Sequence, residues 1–451
     1  MSIVRSRKTA LVILLLTSFG LSYGFQQRGR QRTISGSVRP RREIRLFNDG
    51  HPFQARGPRF SRTDILVKFK PSVRRLWAET AISAYGASTE RIIPGTNIYK
   101  VRIPEGSSVE TIVQVMKQNP SIEHVEPNYI ARIAATPNDT LFNLQYALYN
   151  TGQEIGVPGS PQGKNRADIK ATAAWEETKG SADIVIAVLD TGVELLHPDI
   201  KNKLMSAGRD LVNDDFDATD DNGHGTYVAG IAGAETNNNS GIAGVAWNAK
   251  ILPVKVVDKD GSGFYDWIIE GITWASDQGA DVINLSLGGE DASQLLLEAL
   301  EYAYKKQAVI VASAGNDDAA VLYPAAYDDY VLAVSATDYN DSRPSWSNKG
   351  PQVDVAAPGV RIVSLVPTWY FGPGSLPYGF GEGTSASAPH VAGLAGLLKG
   401  LKPFLKVNEI MDVIRFSSDD VNSAEQPGKD DFLGYGRINM EKALVPIKVS
   451  K

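Results

Sequence analysis

Five nearly continuous apolar runs mark the last two thirds of the chain. They lie at residues 183–190, 250–258, 280–289, 308–316 and 331–338. Strands buried on both faces have this pattern, because helices cover both sides of a parallel sheet. Stretches with helical spacing lie between the runs, as at residues 224–234 and 264–279. We therefore predict an α/β domain of three layers with a mainly parallel sheet, beginning at about residue 135.

A shorter pattern of strands and helices precedes this domain. Strand patterns lie at residues 64–70, 98–104 and 122–132, and helical patterns at residues 72–86 and 107–118. Ser107 is the predicted cap of the second helix, because Glu110 follows it at capping-box spacing. The pattern predicts a small α+β ferredoxin-like unit at residues 64–134, close to the lower size limit for independent folding.

The first residues have the layout of a secretory signal peptide. Arg5, Arg7 and Lys8 precede an apolar run at residues 10–16, and small residues follow near residue 24. The run is short for a membrane span, although an uncleaved anchor is the alternative interpretation. We expect a signal peptide at residues 1–24 and a secreted, extracellular protein that has no membrane attachment after signal removal.

Charge is distributed unevenly along the chain. Residues 25–62 contain ten arginines and two acidic residues, which favours a disordered leader at residues 25–63. From residue 135 onwards there are 42 acidic and 24 basic residues. This excess argues against a nucleic-acid partner and suggests bound cations or solubility. The chain has no cysteine, so disulfides and thiolate-bound zinc are excluded.

Three residue types found in nucleophilic catalysis follow one another in the larger domain. Asp190 ends the first apolar run, His224 lies between glycines at a predicted helix start, and Ser385 lies between a glycine-rich loop and another predicted helix. Singly, each has a common structural role as a turn former, a structural histidine or a helix cap. Together they supply a nucleophile, a base and an anion that orients the base. The chain order Asp, His, Ser is one of the known orders of this triad.

Three segments carry a resemblance to a known family. "VLDTGV", "NGHGTYVAG" and "GTSASAPHVAG" resemble the signature blocks of the subtilisin-like serine proteases. "PNDTLFNLQYAL", "HPDI" and "NNNSGIAG" resemble the thermitase-like branch, and the resemblance extends over residues 64–443. It implies a serine endopeptidase in which Ser385 attacks the peptide carbonyl, His224 moves the proton and Asp190 orients His224. By the same resemblance, Asn316 and the amide of Ser385 form the oxyanion hole.

The resemblance also implies how the precursor is organised. Residues 64–134 are expected to be an inhibitory prodomain, and residues 135–451 a subtilisin-like peptidase domain. We expect Ser385 to cut the chain near Ala134 and Ala135 within the same molecule. The expected partners are therefore protein and peptide substrates and the protein's own prodomain as an intramolecular inhibitor, and the processed enzyme is expected to be a monomer.

Two segments, at residues 260–264 and 286–289, resemble the family's substrate-flanking segments. By the same resemblance, a pocket for the side chain before the scissile bond is expected between residues 286–288 and 314–316. The expected substrate-binding residues are Gly261, Ser262, Gly263, Ser286, Leu287, Gly288, Ala314 and Gly315. Main-chain pairing with an extended peptide implies broad specificity. The pocket walls contain no charged residue, so we expect a preference for apolar or aromatic side chains. The resemblance further implies a cis bond between Tyr323 and Pro324.

Two calcium sites are expected as structural cofactor sites. Alternating carboxylates at Asp210, Asp215 and Asp217 are suitable calcium ligands, with a solvated acidic loop as the alternative. By resemblance, a stronger site joins Asp139, Asp199 and Asn238.

The sequence departs from the family pattern at Tyr227, where histidine is frequent, and at Ala386, where methionine is frequent. Neither change removes a triad residue. Two other classes of function stay open at this stage: a catalytically silent subtilisin-fold binding protein, and a calcium-binding surface protein.

Overall fold

The structure is a computed structural model that describes residues 60–130, 136–156, 159–371 and 374–444. These residues form two compact units, one at residues 60–130 and the other from residue 136 onwards. The predicted signal peptide, most of the predicted leader and the predicted cleavage site at Ala134 and Ala135 lie outside the described residues.

The smaller unit is an antiparallel sheet with two helices. Its elements are β1 (Phe60–Phe69), α1 (Arg75–Ser83), β2 (Ser88–Ile92), β3 (Ile98–Arg102), α2 (Val109–Met116) and β4 (Ile122–Tyr129). The strand order is β2-β3-β1-β4. Alternation along β1 puts Ile65, Val67 and Phe69 into one core with Ala78 of α1 and Val113 of α2. The predicted small α+β unit is confirmed.

Three details of this unit differ from the sequence prediction. β1 begins at Phe60, within the predicted leader, because Phe60 pairs with Tyr129 of β4. The pattern does not reveal β2, which lies at the edge of the sheet and has no buried residue. The cap of α2 is Ser108 rather than Ser107, since the Ser108 hydroxyl accepts the Thr111 amide at 3.1 Å.

The larger unit is built around a seven-stranded parallel sheet of order β11-β10-β9-β8-β5-β7-β6. Its strands are β5 (Val185–Asp190), β6 (Arg209–Asp210), β7 (Lys250–Lys255), β8 (Val282–Leu285), β9 (Val309–Ser313), β10 (Val331–Thr337) and β11 (Val353–Pro358), with a separate antiparallel pair, β12 (Ile362–Leu365) and β13 (Tyr378–Gly381). Its helices are α3 (Ala171–Ala174), α4 (His224–Gly233), α5 (Tyr265–Asp277), α6 (Gln294–Lys305), α7 (Thr384–Leu401), α8 (Val407–Ser417) and α9 (Met440–Leu444), preceded by a 3₁₀ turn at Phe142–Leu144.

Helices cover both faces of this sheet. In β5, Ile186 and Val188 pack with residues of α4 and α7, whereas Ala187 and Leu189 pack with residues of α5 and α6. Strict alternation therefore puts a fully apolar strand between two separate cores, which explains the continuous apolar runs. The predicted three-layer α/β architecture is confirmed.

Each of the five apolar runs contains one strand of the sheet, but several strands end before the run does. β7 ends at Lys255, β8 at Leu285 and β9 at Ser313. The remaining residues of these runs lie in loops at the carboxyl edge of the sheet, where ligands bind in open α/β folds. β6 and β11 are strands that the sequence pattern does not reveal. Within the described part of the chain, no helix is both long and apolar enough to cross a membrane.

Candidate active site

Asp190 and His224 are directly hydrogen-bonded at the carboxyl edge of the sheet. Asp190 is the last residue of β5 and is only 1 % exposed, and His224 is the first residue of α4. His224 Nδ1 lies 2.7 Å from Asp190 Oδ1, which also accepts the Thr191 amide at 2.8 Å. Because an ionised carboxylate only accepts, Nδ1 carries the proton and Nε2 is the free basic nitrogen. This is the tautomer that a general base requires.

Burial and neighbouring charge act in opposite directions on His224. Burial lowers the pKa of His224, whereas the charge of Asp190 and its hydrogen bond raise it, with a further rise from Asp220. The net pKa is above the usual histidine value. The imidazole side chain is still 38 % exposed, so a bound molecule can reach it.

Ser385 lies in the first turn of α7, beside the loop that follows β8. The N-cap of α7 is Gly383, which has no side chain that could cap the helix, so Ser385 is not its N-cap. Its hydroxyl donates to Ser286 O at 3.1 Å, and the Ser286 hydroxyl donates to Ser385 O at 3.0 Å. Among the described residues, no hydrogen bond joins Ser385 to His224. The hydroxyl must therefore turn away from Ser286 before His224 can accept its proton.

The orientation of the Asn316 amide is set by α7. Asn316 follows β9 and is exposed. Its Oδ1 accepts the Thr384 amide at 2.8 Å and the Thr384 hydroxyl at 3.0 Å. Because the oxygen is used in this way, the Nδ2 group is left to donate elsewhere. Gly383 has a φ of 139°, and a Cβ there would lie 3.3 Å from Asn316 Nδ2. Glycine thus allows this backbone conformation and leaves the amide accessible.

The segment with Gly261, Ser262 and Gly263 is a tight turn after β7. Asp258 Oδ1 accepts the amides of Asp260 and Ser262, both at 2.9 Å. The last residues of β7 and β5 are paired, so this turn begins at the same edge of the sheet as Asp190.

The other predicted substrate-binding residues lie in the loops after the neighbouring strands β8 and β9: Ser286, Leu287, Gly288, Ala314 and Gly315. Ser286 and Ala314 are buried, and Leu287 is half-buried. Beyond them, Gly289 and Tyr323 exchange two backbone hydrogen bonds at 2.8 and 2.9 Å. The peptide bond between Tyr323 and Pro324 is cis, which confirms the prediction.

The predicted calcium ligands Asp139, Asp199 and Asn238 come from three separate segments and meet in one place. Asn238 Nδ2 donates to Asp199 Oδ1 at 2.7 Å. Burial raises the pKa of Asp199 to about 7, and the negative charge of Asp139 contributes to the rise. Burial also raises the pKa of Asp139. A Cβ at Gly241 would lie 2.1 Å from Asp199 Oδ2, so this backbone is close against the carboxylate. Two buried, mutually repelling carboxylates fit a hard cation, because a cation offsets both burial and repulsion.

The structure does not bring Asp210, Asp215 and Asp217 together in the same way. Asp210 Oδ1 accepts the amides of Val212 and Asn213, and Asp215 Oδ1 accepts the Asp217 amide at 2.9 Å. Each carboxylate thus stabilises its own turn. Among the described residues, no group of three or more His, Asp or Glu side chains is arranged to hold a metal ion.

One of the two departures from the family pattern, Tyr227, has a structural explanation. Tyr227 is buried, and its hydroxyl donates to Ile362 O at 2.7 Å, so α4 is tied to β12. Ala386, which follows Ser385 in α7, is also buried.

Sequence reasoning missed three polar residues around the Asp190–His224 pair: Thr191, Asp220 and Lys255. All three are buried, at 1–2 % exposure. The one sequence signal for Asp220 is its position shortly before the Asn-Gly-His segment, within an acidic stretch whose pattern indicates a calcium ligand set or a solvated loop.

Known proteins match both compact units. The model of the subtilase family matches residues 181–436, and the model of the fervidolysin N-terminal prodomain matches residues 49–128. The thermophilic serine proteinase of Bacillus sp. strain AK1 is 39% identical over 84% of this chain and 87% of its own length. Thermitase of Thermoactinomyces vulgaris is 43% identical over 61% of this chain and 93% of its own length.

A solved structure agrees with the sequence matches. A protease from Pseudoalteromonas arctica strain PAMC 21717 is similar with a TM-score of 0.59 and 32% sequence identity. The match covers 69% of this chain and 99% of that chain.

Proposed function

The chain belongs to the subtilase family and is a subtilisin-like serine protease with an N-terminal prodomain, and on this premise we propose that it is a secreted, self-processing serine endopeptidase of broad specificity. One observation carries this proposal. The Asp190–His224 hydrogen bond of 2.7 Å lies at the carboxyl edge of the sheet, and Ser385 lies in the first turn of α7, whose first residue is bonded to Asn316.

In the proposed reaction Ser385 is the nucleophile. Its hydroxyl turns from Ser286 O, transfers its proton to His224 Nε2 and attacks the peptide carbonyl carbon, so that a tetrahedral intermediate forms. The Asp190 carboxylate stabilises the imidazolium ion. His224 then protonates the leaving amine as the C–N bond breaks, which leaves an acyl-enzyme on Ser385. A water molecule, deprotonated by His224, hydrolyses the ester and restores the serine.

The negative oxygen of the intermediate has two proposed donors. The amide of Ser385 lies in the first turn of α7, where amides have no intrahelical acceptor. Asn316 Nδ2 is the second donor, because Asn316 Oδ1 is bonded to Thr384. The N-terminal end of the α7 dipole adds to the stabilisation of negative charge.

Substrate recognition is proposed to depend mainly on the backbone. An extended peptide that pairs with the segments at residues 261–263 and 286–288 gains hydrogen bonds regardless of its sequence. The pocket between the loops after β8 and β9 would accept an apolar or aromatic side chain, since Ser286, Leu287, Gly288, Ala314 and Gly315 carry no charge.

The remaining parts of the precursor have proposed roles as well. Residues 1–24 direct secretion, residues 25–63 form a leader and residues 64–134 inhibit the peptidase domain until Ser385 cuts near Ala134 and Ala135. After this cut the peptidase, residues 135–451, acts as a monomer. Calcium bound at Asp139, Asp199 and Asn238 would stabilise the region that follows the new N-terminus. The ion itself would take no part in the reaction.

A fluorophosphonate probe tests the function directly. The processed protein should form a covalent adduct on Ser385 and cleave casein, and Ser385→Ala should do neither while still unfolding in a cooperative transition. An unlabelled parent that binds peptides without cutting them would support a catalytically silent binding protein instead. Loss of folding in Ser385→Ala would indicate a structural serine.

A further inference from the structure

Asp220 is a buried carboxylate close to His224, and it accepts an unusual number of hydrogen bonds. It is 1 % exposed. Its Oδ1 accepts the Thr191 hydroxyl at 2.8 Å and the amides of Asn222 and Gly223 at 3.0 and 2.8 Å. Its Oδ2 accepts the Thr226 amide at 2.9 Å and the Thr226 hydroxyl at 2.6 Å. Three of the five partners are backbone amides, which can only donate, so both carboxylate oxygens of Asp220 act as acceptors.

These donors lie immediately beside the two residues of the catalytic pair, after the end of β5 and around the start of α4. Thr191 follows Asp190 at the end of β5, while the other donors precede or follow His224 at the start of α4. The Thr191 hydroxyl also accepts the Gly225 amide at 2.9 Å, which closes a second link between strand and helix. The hydrogen bonds of Asp220 thus hold the two backbones at a fixed separation.

We propose that Asp220 is a positioning residue for the Asp190–His224 pair, which holds the start of α4 against the end of β5 and adds a second buried negative charge that stabilises protonated His224. This role rests on the proposed serine-protease mechanism. In that mechanism His224 is protonated in the tetrahedral intermediate, so the charge of Asp220 acts when the imidazolium forms.

Charged groups on the segments next to Asp190 and Thr191 have partners of their own. Lys255 of β7 donates to Asp221 Oδ1 at 2.6 Å and to Thr191 O at 3.0 Å. Glu194, in the loop after β5, accepts the Thr368 amide at 2.8 Å. Asp190 and Asp220 are the two carboxylates whose charges raise the pKa of His224, against the lowering effect of burial.

Three substitutions separate charge, geometry and general effects. Asp220→Asn removes the negative charge and replaces one acceptor oxygen with an NH₂ group. This NH₂ group then faces the hydrogen-bond donors that the oxygen accepted. Asp220→Glu keeps the charge but displaces it by one methylene. Asp214→Asn is the matched control, because Asp214 belongs to the same acidic segment and its side chain is 86% exposed. Asparagine also suits its positive φ of 56°.

The assay is hydrolysis of a chromogenic peptide across the pH range, with the concentration of active enzyme set by fluorophosphonate labelling of Ser385. Asp220→Asn should lower kcat about tenfold to a hundredfold with KM within about twofold, as expected for a displaced catalytic group. It should also move the acid limb of kcat/KM to lower pH, because the imidazolium loses a stabilising charge. Asp220→Glu should lower kcat but leave the acid limb in place, and Asp214→Asn should match the parent in both.

The results have clear alternatives. If Asp220 is merely structural, Asp220→Asn will reduce the melting temperature and the yield of labelled enzyme but leave the kcat and the acid limb of the labelled fraction unchanged. This result would overturn the proposal. If Asp220→Asn does not fold, Asp220→Glu decides, since a kcat equal to that of the parent would overturn the positioning role. A parent that is neither labelled nor active would refute the proposed protease mechanism itself, and this outcome is seen before any Asp220 variant is measured.

Discussion

His390 should make the peptidase unit sensitive to mild acid. It lies in α7, five residues after Ser385, and is 2 % exposed. Its Nδ1 lies 2.8 Å from Ala386 O, and burial lowers the pKa of His390 to about 4. In the unfolded chain the ordinary histidine pKa is about 6.5. As pH falls, the unfolded chain therefore binds this proton first, and stability decreases from pH 6.5 down to about 4.

The size of the effect follows from the two pKa values. A pH of 5 lies about 1.5 units below the histidine pKa of the unfolded chain, so there the unfolded histidine is protonated while the folded one is still neutral. The free energy of unfolding therefore falls by about 2 kcal/mol. The loss approaches about 3 kcal/mol at pH 4 and below. In His390→Asn the side-chain amide can donate to Ala386 O but does not titrate. Because asparagine is smaller than histidine, the substitution leaves a cavity that lowers the stability of the variant at pH 7 without adding a pH dependence.

Urea unfolding at pH 7 and pH 5 tests this reasoning, with both chains in the Ser385→Ala background to prevent self-digestion. Between these pH values His390→Asn should lose about 2 kcal/mol less than its parent. Other titrating groups are common to the two chains and cancel in the comparison. Equal losses in both chains would refute the assignment of the acid sensitivity to His390.

The remaining predictions concern catalysis, processing and calcium. Asn316→Ala should lower kcat about tenfold to a hundredfold with little change in KM, since a charge-assisted hydrogen bond made in the transition state is lost; steady-state kinetics with an unchanged kcat would remove Asn316 from the oxyanion hole. The acid limb of kcat/KM should lie above the usual histidine pKa, because Asp190 raises the pKa of His224, and a limb below that value would contradict the role of the pair. N-terminal sequencing should find the parent beginning near Ala135 and Ser385→Ala still carrying its prodomain, whereas trimming of both chains at one bond in a protease-deficient host would exclude self-processing. A chelator should lower the melting temperature of the parent but not that of Asp199→Asn, and equal responses would place the calcium elsewhere.

The sequence by itself determined the layers of the fold and the chemical groups of the candidate site. Runs of apolar residues predict parallel strands because each strand of a sheet covered on both faces must be apolar at every position, as Ile186 and Ala187 of β5 illustrate. The order of Asp190, His224 and Ser385 within glycine-rich segments predicts their chemistry, because few structural roles require an aspartate, a histidine and a serine together at the ends of strands and helices.

Tertiary structure alone decided how these groups are held. No local pattern predicts that Asp220 accepts donors from both the residue after β5 and the first turn of α4, because hydrogen bonds between distant segments leave no periodicity in the sequence. The same is true of Thr384, which orients the Asn316 amide, and of Ser286, which holds the Ser385 hydroxyl. Acidic residues close together in sequence were expected to share an ion; in the structure Asp210 and Asp215 pair through their backbones, and their carboxylates accept amides of their own turns. Asp139 and Asp199, sixty residues apart along the chain, are the carboxylates that the fold buries together.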